Sequence, residues 1–127
     1  MTEILVVDDD TDFRESLIVS LTDFGFLCDQ ATSARGAKKL LRSENYQLII
    51  TDILMPEEDG IILITHVRNN HIGSKIIAMS GGGLIGSDSY LQMAEGFGVD
   101  GTLEKPFSEV KLINTIKSLG IQPQADL

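Results

Sequence analysis

The stretch IITDILMPEEDG (49–60) is the most informative in the chain. An apolar run, LII (48–50), stops abruptly at Thr51 and Asp52, and Asp59–Gly60 then reads as a turn leading into a helix. A short, continuous apolar run of this kind suits a central parallel strand, covered on both faces. Four more short runs flank it: ILVV (4–7), FLC (26–28), KIIAM (75–79) and the weaker GTLEK (101–105). Helical spacing fills the intervals. Phe13, Leu17, Leu21 and Phe24 form one stripe; Ala37, Leu40 and Leu41 a second; Ile61, Leu63, Ile64 and Val67 a third. Tyr90, Met93, Ala94 and Phe97 form a fourth, and Val110, Leu112, Ile113, Ile116 and Leu119 a fifth. Strand and helix alternate five times, which predicts an α/β domain with a doubly wound, five-stranded parallel sheet.

In such sheets the chemistry gathers where strands end. The first run ends in Asp8, Asp9 and Asp10, the third in Thr51 and Asp52, the fourth in Ser80 and three glycines, the fifth in Lys105 and Pro106. The second ends in Gln30, Ala31 and Thr32, with nothing reactive. Carboxylates meeting in one cleft raise one another's pKa or recruit a cation. Mg²⁺ fits, because it prefers hard oxygen ligands and takes one or two carboxylates alongside phosphate oxygens. Asp9 and Asp52 are the candidate direct ligands, with Asp8 acting through water and a backbone carbonyl just past Asp52 completing the set. Phosphoryl transfer demands positioned charge above all. A carboxylate can serve as its nucleophile. Mg²⁺, Lys105 and the Ser80 hydroxyl would each cover one phosphoryl oxygen.

Composition narrows the classes. The 127 residues fit one domain, and 43% are apolar, enough for one core. The expected division is a domain over 1–120 and a short tail over 121–127, with Gly120 as helix stop and Pro123 marking the exit. Ten Lys and Arg against nineteen Asp and Glu give a net charge of −9, which argues against direct nucleic-acid binding. No apolar stretch approaches the roughly 20 residues needed to cross a bilayer. MTEILVVDDD (1–10) lacks the pattern of a secretory signal, so a cytoplasmic protein without a membrane partner is expected. The single cysteine, Cys28, excludes an internal disulfide and reads as a buried structural thiol.

VVDDD (6–10), IITDILMPEEDG (49–60), IAMS (77–80) and TLEKPF (102–107) together resemble the response-regulator receiver family of two-component signalling, over essentially the whole chain. The GGG after Ser80 and the T-L-x-K-P-F ending resemble its short stand-alone members. The resemblance implies a flavodoxin-like (βα)5 fold with strand order 2-1-3-4-5. It implies Asp52 as phosphoacceptor, Asp8 and Asp9 as the acidic pair with Asp9 the direct metal ligand, and Leu54 as the source of the metal-binding carbonyl. Ser80 matches the switch hydroxyl and Lys105 the family lysine, with a cis Lys105–Pro106 bond. The partners implied are a histidine kinase or histidine phosphotransfer protein and a downstream protein. Catalysis would be limited to the domain's own phosphorylation and dephosphorylation.

Two other classes compete. An aspartate-nucleophile phosphohydrolase usually sets two Asp residues two apart after one strand, but the Lys and Ser positions fit a receiver better. A pseudo-receiver would use the fold only as a binding surface, yet acid pair, acceptor, hydroxyl and lysine are all present. Asp10 reads as an acid favoured by the first helix dipole. His66, His71, Glu57 and Glu58 read as solvated residues. Thr102 departs from the aromatic residue many receivers carry there, so the loop Ser80–Gly86 is expected to serve as the switch.

Overall fold

The computed structural model describes residues 3–55, 60–70, 73–81, 92 and 94–123. Five strands, β1 (Ile4–Val7), β2 (Cys28–Ala31), β3 (Leu48–Asp52), β4 (Lys75–Gly81) and β5 (Gly101–Lys105), pair in parallel in the order β2-β1-β3-β4-β5. That is the flavodoxin-like order. Between and after them run α1 (Thr11–Asp23), α2 (Ala34–Leu41), α3 (Gly60–Asn70) and α4 (Glu109–Ser118).

The period-two geometry of a strand divides its side chains between two faces. On β1, Leu5 and Val7 join Ala37, Leu41, Ile49, Leu63, Ile64 and Val67 beneath α2 and α3. Ile4 and Val6 face the other way, joining Leu17, Leu21, Ile50, Leu112, Ile113 and Ile116 beneath α1 and α4. All four residues of β1 are fully buried, so the run is apolar throughout. Burying each such side chain contributes roughly 1.5–3 kcal/mol.

Local signals start and stop the helices. The side chains of Asp10, Ser33 and Ser108 cap α1, α2 and α4 by accepting from backbone N–H groups three residues on. Gly120, just past α4, has φ of 79°, a left-handed stop that only glycine adopts freely. Ile121 is buried with the α1/α4 cluster, so packing reaches one residue into the expected tail.

The structure moves some expected elements. The run FLC was expected as the second strand, but β2 is Cys28–Ala31. An edge strand has one neighbour and tolerates Asp29 and Gln30, while Phe26 is buried ahead of it. Cys28 is half-buried, and burial pushes its thiol up to about 12, so it stays protonated. On α1 Leu17 and Leu21 are buried as expected and Phe13 packs partly buried against the same cluster, whereas Arg14 joins the buried face and Phe24 is exposed. Val110 and Phe97 are exposed too, whereas Ala94 is buried. Tyr90 and Met93 lie outside the described residues, as do Pro56–Asp59, His71 and Gly82–Gly86 of the expected switch loop.

Candidate phosphoacceptor site

Register brings the acids together. Val7 pairs with Thr51, so the next residues, Asp8 and Asp52, emerge side by side at the carboxyl edge of the two central strands. Oxygens of Asp8, Asp9 and Asp52 lie within 4.8 Å of one another. Asp8 and Asp52 are buried, and Asp9 is exposed.

Lys105 ends β5, two strands from β3 and three from β1, or about 10 and 15 Å at the usual strand spacing. Only a long side chain reaches back across that gap. Its Nζ lies 2.7 Å from Asp8 Oδ2 and 3.4 Å from Asp52 Oδ2. The Lys105–Pro106 peptide is cis, as the resemblance implied. The ammonium also sits 4.1 Å from the ring centroid of Phe13, on the first turn of α1. The Phe13 ring meets Phe107 edge to face, at 83° with centroids 5.8 Å apart.

Asp8 is held at three points. Its Oδ1 accepts from the Asp10 N–H at 3.0 Å, its Oδ2 from Lys105, and its carbonyl from the Arg14 guanidinium at 2.8 Å. Arg14 is itself buried, and its Nε donates to Gln30 at 2.7 Å. Asp10 caps α1 and accepts from the Phe13 N–H, which agrees with the helix-terminus reading.

Burial pushes the Asp52 carboxyl up to about 6; the Lys105 ammonium opposes this, the Asp8 charge adds to it, and the Leu54 N–H pulls back. A desolvated acid against a like charge can hold a cation or shed its charge. The three carboxylates offer hard oxygens at one point, which is the donor chemistry Mg²⁺ takes. Ser80, next to last on β4, is buried, and its Oγ is the one buried side-chain polar atom without a hydrogen-bond partner among the described residues. Such a hydroxyl is costly to bury unless something accepts from it. Leu54 is exposed at the rim, two residues past Asp52.

Three contributors were not foreseen. Gly60 opens α3 so close to β3 that a Cβ there would lie 2.1 Å from the Asp52 carbonyl, so only glycine fits. Its N–H donates to the Ile53 carbonyl at 2.8 Å, tying the neighbour of Asp52 to the helix start. Arg14 had a signal, since it shares i, i+3, i+7 spacing with Leu17 and Leu21. Phe13 was read as core; it also packs against the lysine amine.

The family model described as the response regulator receiver domain matches residues 4–117. The transcriptional regulatory protein SrrA of Staphylococcus aureus is 33% identical over 92% of this chain and 47% of its own length. PmrA of Pectobacterium parmentieri is 29% identical over 92% of this chain and 51% of its own. The chain thus spans about half the length of these regulators. Among solved structures, the receiver domain of NtrX from Brucella abortus superposes with a TM-score of 0.84 at 28% identity, covering 91% of this chain and 96% of that one. TrrA from Thermotoga maritima, solved in complex with Mg²⁺-BeF, gives 0.82 at 31% identity, covering 94% and 99%. With the fold, the acid cluster and the family match in accord, the chain belongs to the response regulator receiver family of two-component signalling.

Proposed function

We propose that Asp52 accepts a phosphoryl group, with Mg²⁺ held by Asp9 and Asp52 directly, by Asp8 through water and by the Leu54 carbonyl. The carrying observation is the convergence of three carboxylates within 4.8 Å beside the Lys105 amine and the unpartnered Ser80 hydroxyl. When bound, the ion supplies positive charge against the clustered carboxylates and the incoming phosphoryl oxygens.

An Asp52 oxygen attacks phosphorus on a phosphohistidine of a histidine kinase or phosphotransfer protein. The P–N bond breaks as a new P–O bond forms, and the imidazole leaves neutral, keeping the proton that its other ring nitrogen already carried in the phosphohistidine. Even raised to about 6, Asp52 is ionised at neutral pH, as a nucleophile must be. The Lys105 ammonium, within reach of Asp52, donates to one oxygen of the product. The Ser80 hydroxyl turns to another. The phosphorylated form then changes the face offered to a downstream protein. Turnover is confined to the domain's own phosphorylation and its loss. In this reading residues 1–120 are the receiver and 121–127 a tail anchored by Ile121, working in the cytoplasm. The excess of acidic residues disfavours direct contact with nucleic acid.

Incubation with Mg²⁺ and acetyl phosphate, followed by intact-mass spectrometry, tests this. One phosphoryl mass should appear, and it should vanish in Asp52→Ala, in Asp9→Ala and in chelator. Labelling that persists in Asp52→Ala overturns the assignment.

A further inference from the structure

We infer that Phe13 is a positioning residue for the Lys105 ammonium, with Phe107 steadying its ring; this rests on the phosphoacceptor reading of Asp52 and Lys105. An ammonium has three N–H donors. Two sides of this one are taken by carboxylates, at 2.7 Å from Asp8 and 3.4 Å from Asp52. A third is taken by the Phe13 ring, its centroid 4.1 Å from Nζ. An aromatic face carries negative charge density and attracts a cation within about 6 Å of its centroid. The Phe107 ring meets that of Phe13 edge to face, at 83° with centroids 5.8 Å apart. Phe107 lies two residues from the lysine, so the segment 105–107 and the first turn of α1 fix one another.

The three partners differ in what else they can bind. Asp8 and Asp52 belong to the acid cluster, so a divalent cation there competes with the lysine for both. A hard cation of that kind prefers oxygen and leaves the ring alone. Phe13 is therefore the contact the lysine keeps when its carboxylates are drawn elsewhere. Without it, a flexible four-carbon chain with a strongly hydrated head has the most to gain from swinging into solvent. The ring holds the amine where the new phosphoryl oxygen arrives.

The test follows the lysine and the label separately, in wild type, Phe13→Leu, Phe13→Trp and Phe107→Leu, with Mg²⁺ present. Protons on the lysine ε-carbon near an aromatic face are shifted upfield in NMR, and Lys105→Met assigns the signal. Phe13→Leu should return that signal to the free-lysine position and slow labelling by acetyl phosphate about fivefold, as expected for loss of a partly exposed cation–π contact. Phe13→Trp should preserve both. Phe107→Leu should move the signal the same way by less, which keeps the test open if Phe13→Leu fails to fold. An unmoved lysine signal in Phe107→Leu and Phe13→Leu, or labelling in Phe13→Leu within about twofold of wild type, overturns the inference. If wild type takes no label yet Phe13→Leu still displaces the signal, the positioning stands and the phosphoacceptor reading falls.

Discussion

The two rims of the sheet are built on opposite principles. At the amino ends of the strands, polar groups answer one another. Ser74 Oγ donates to the Tyr46 carbonyl at 2.9 Å, and the Tyr46 hydroxyl to Asp29 at 2.6 Å. Asp100 accepts from the Ile76 N–H at 2.8 Å and pairs with Arg68, which also donates to the Gly98 and Ser74 carbonyls. At the carboxyl ends, acids crowd together, Asp52 is pushed up to about 6, and Ser80 Oγ has no partner among the described residues. Among the described residues, the first rim is satisfied as it stands. The other holds like charges together and a buried hydroxyl without a partner among the described residues, and perturbed groups gathered in this way are candidates for a working site. The contrast predicts that damage to the first rim costs stability, whereas removing charge from the second gains it.

The largest effect should come from the satisfied rim. Asp100→Ala leaves the Ile76 N–H without its acceptor at the start of β4 and removes the carboxylate partner of Arg68. An unpaired, partly buried amide costs about 1–3 kcal/mol. The partly exposed ion pair adds up to about 1 kcal/mol after solvent screening. Denaturant unfolding should show a loss of about 2–3 kcal/mol. Labelling per folded molecule should be unchanged, because the site lies at the other ends of the strands. A collapse of labelling with stability intact would break the comparison.

Next is Asp52→Asn, measured without metal. The folded-state pKa of Asp52 lies above its ordinary value of 3.8, at about 6. The folded protein therefore binds the proton more tightly than the unfolded chain does. That contribution to stability is fully present below about pH 4 and is lost as pH rises through about 6. Removing the charge should stabilise the protein at pH 7 by on the order of 1–2 kcal/mol, allowing for the contact Lys105 forfeits. The gain should shrink toward zero near pH 4. A variant no more stable than wild type at pH 7 would place Asp52 among the satisfied groups.

The same contrast explains what was readable in the sequence. The working rim was legible because its acids, hydroxyl and lysine each follow an apolar run, and strand ends in a parallel sheet share an edge. β1, β3 and β4 were legible because burial on both faces gives each an unbroken apolar run, Ile4–Val7, Leu48–Ile50 and Ile76–Met79. β2 was misplaced because its Asp29 and Gln30 carry no such signature. The strand order came from the family likeness, since periodicity says nothing about which strands are neighbours. Arg14 and Gly60 escaped for a different reason: one supports the Asp8 carbonyl and the other passes the Asp52 carbonyl only once the chain has folded. The partners that hold the amino-end rim, such as Asp100 with Ile76, are set by register in the same way.

The smallest effect sharpens the comparison at the edge of the working rim. Leu54 lies two residues past Asp52, its N–H pulls the Asp52 carboxyl down, and its side chain is 41% exposed. Water reaching the phosphorylated Asp52 from that side meets an apolar side chain with nothing to orient it. A misplaced nucleophile forfeits much of the advantage of proximity. Leu54→Asn adds an amide that can hold a water by hydrogen bond, and it should shorten the lifetime of the phosphorylated form about two- to fivefold, a barrier change of less than about 1 kcal/mol. Leu54→Ala supplies the control, because it opens the same path without adding a polar group. If Ala shortens the lifetime as much as Asn does, access governs hydrolysis and orientation does not. If Asn lengthens it, the exposed face of Leu54 lies off the water's path, and what limits hydrolysis must be sought on the Ser80 side of the site.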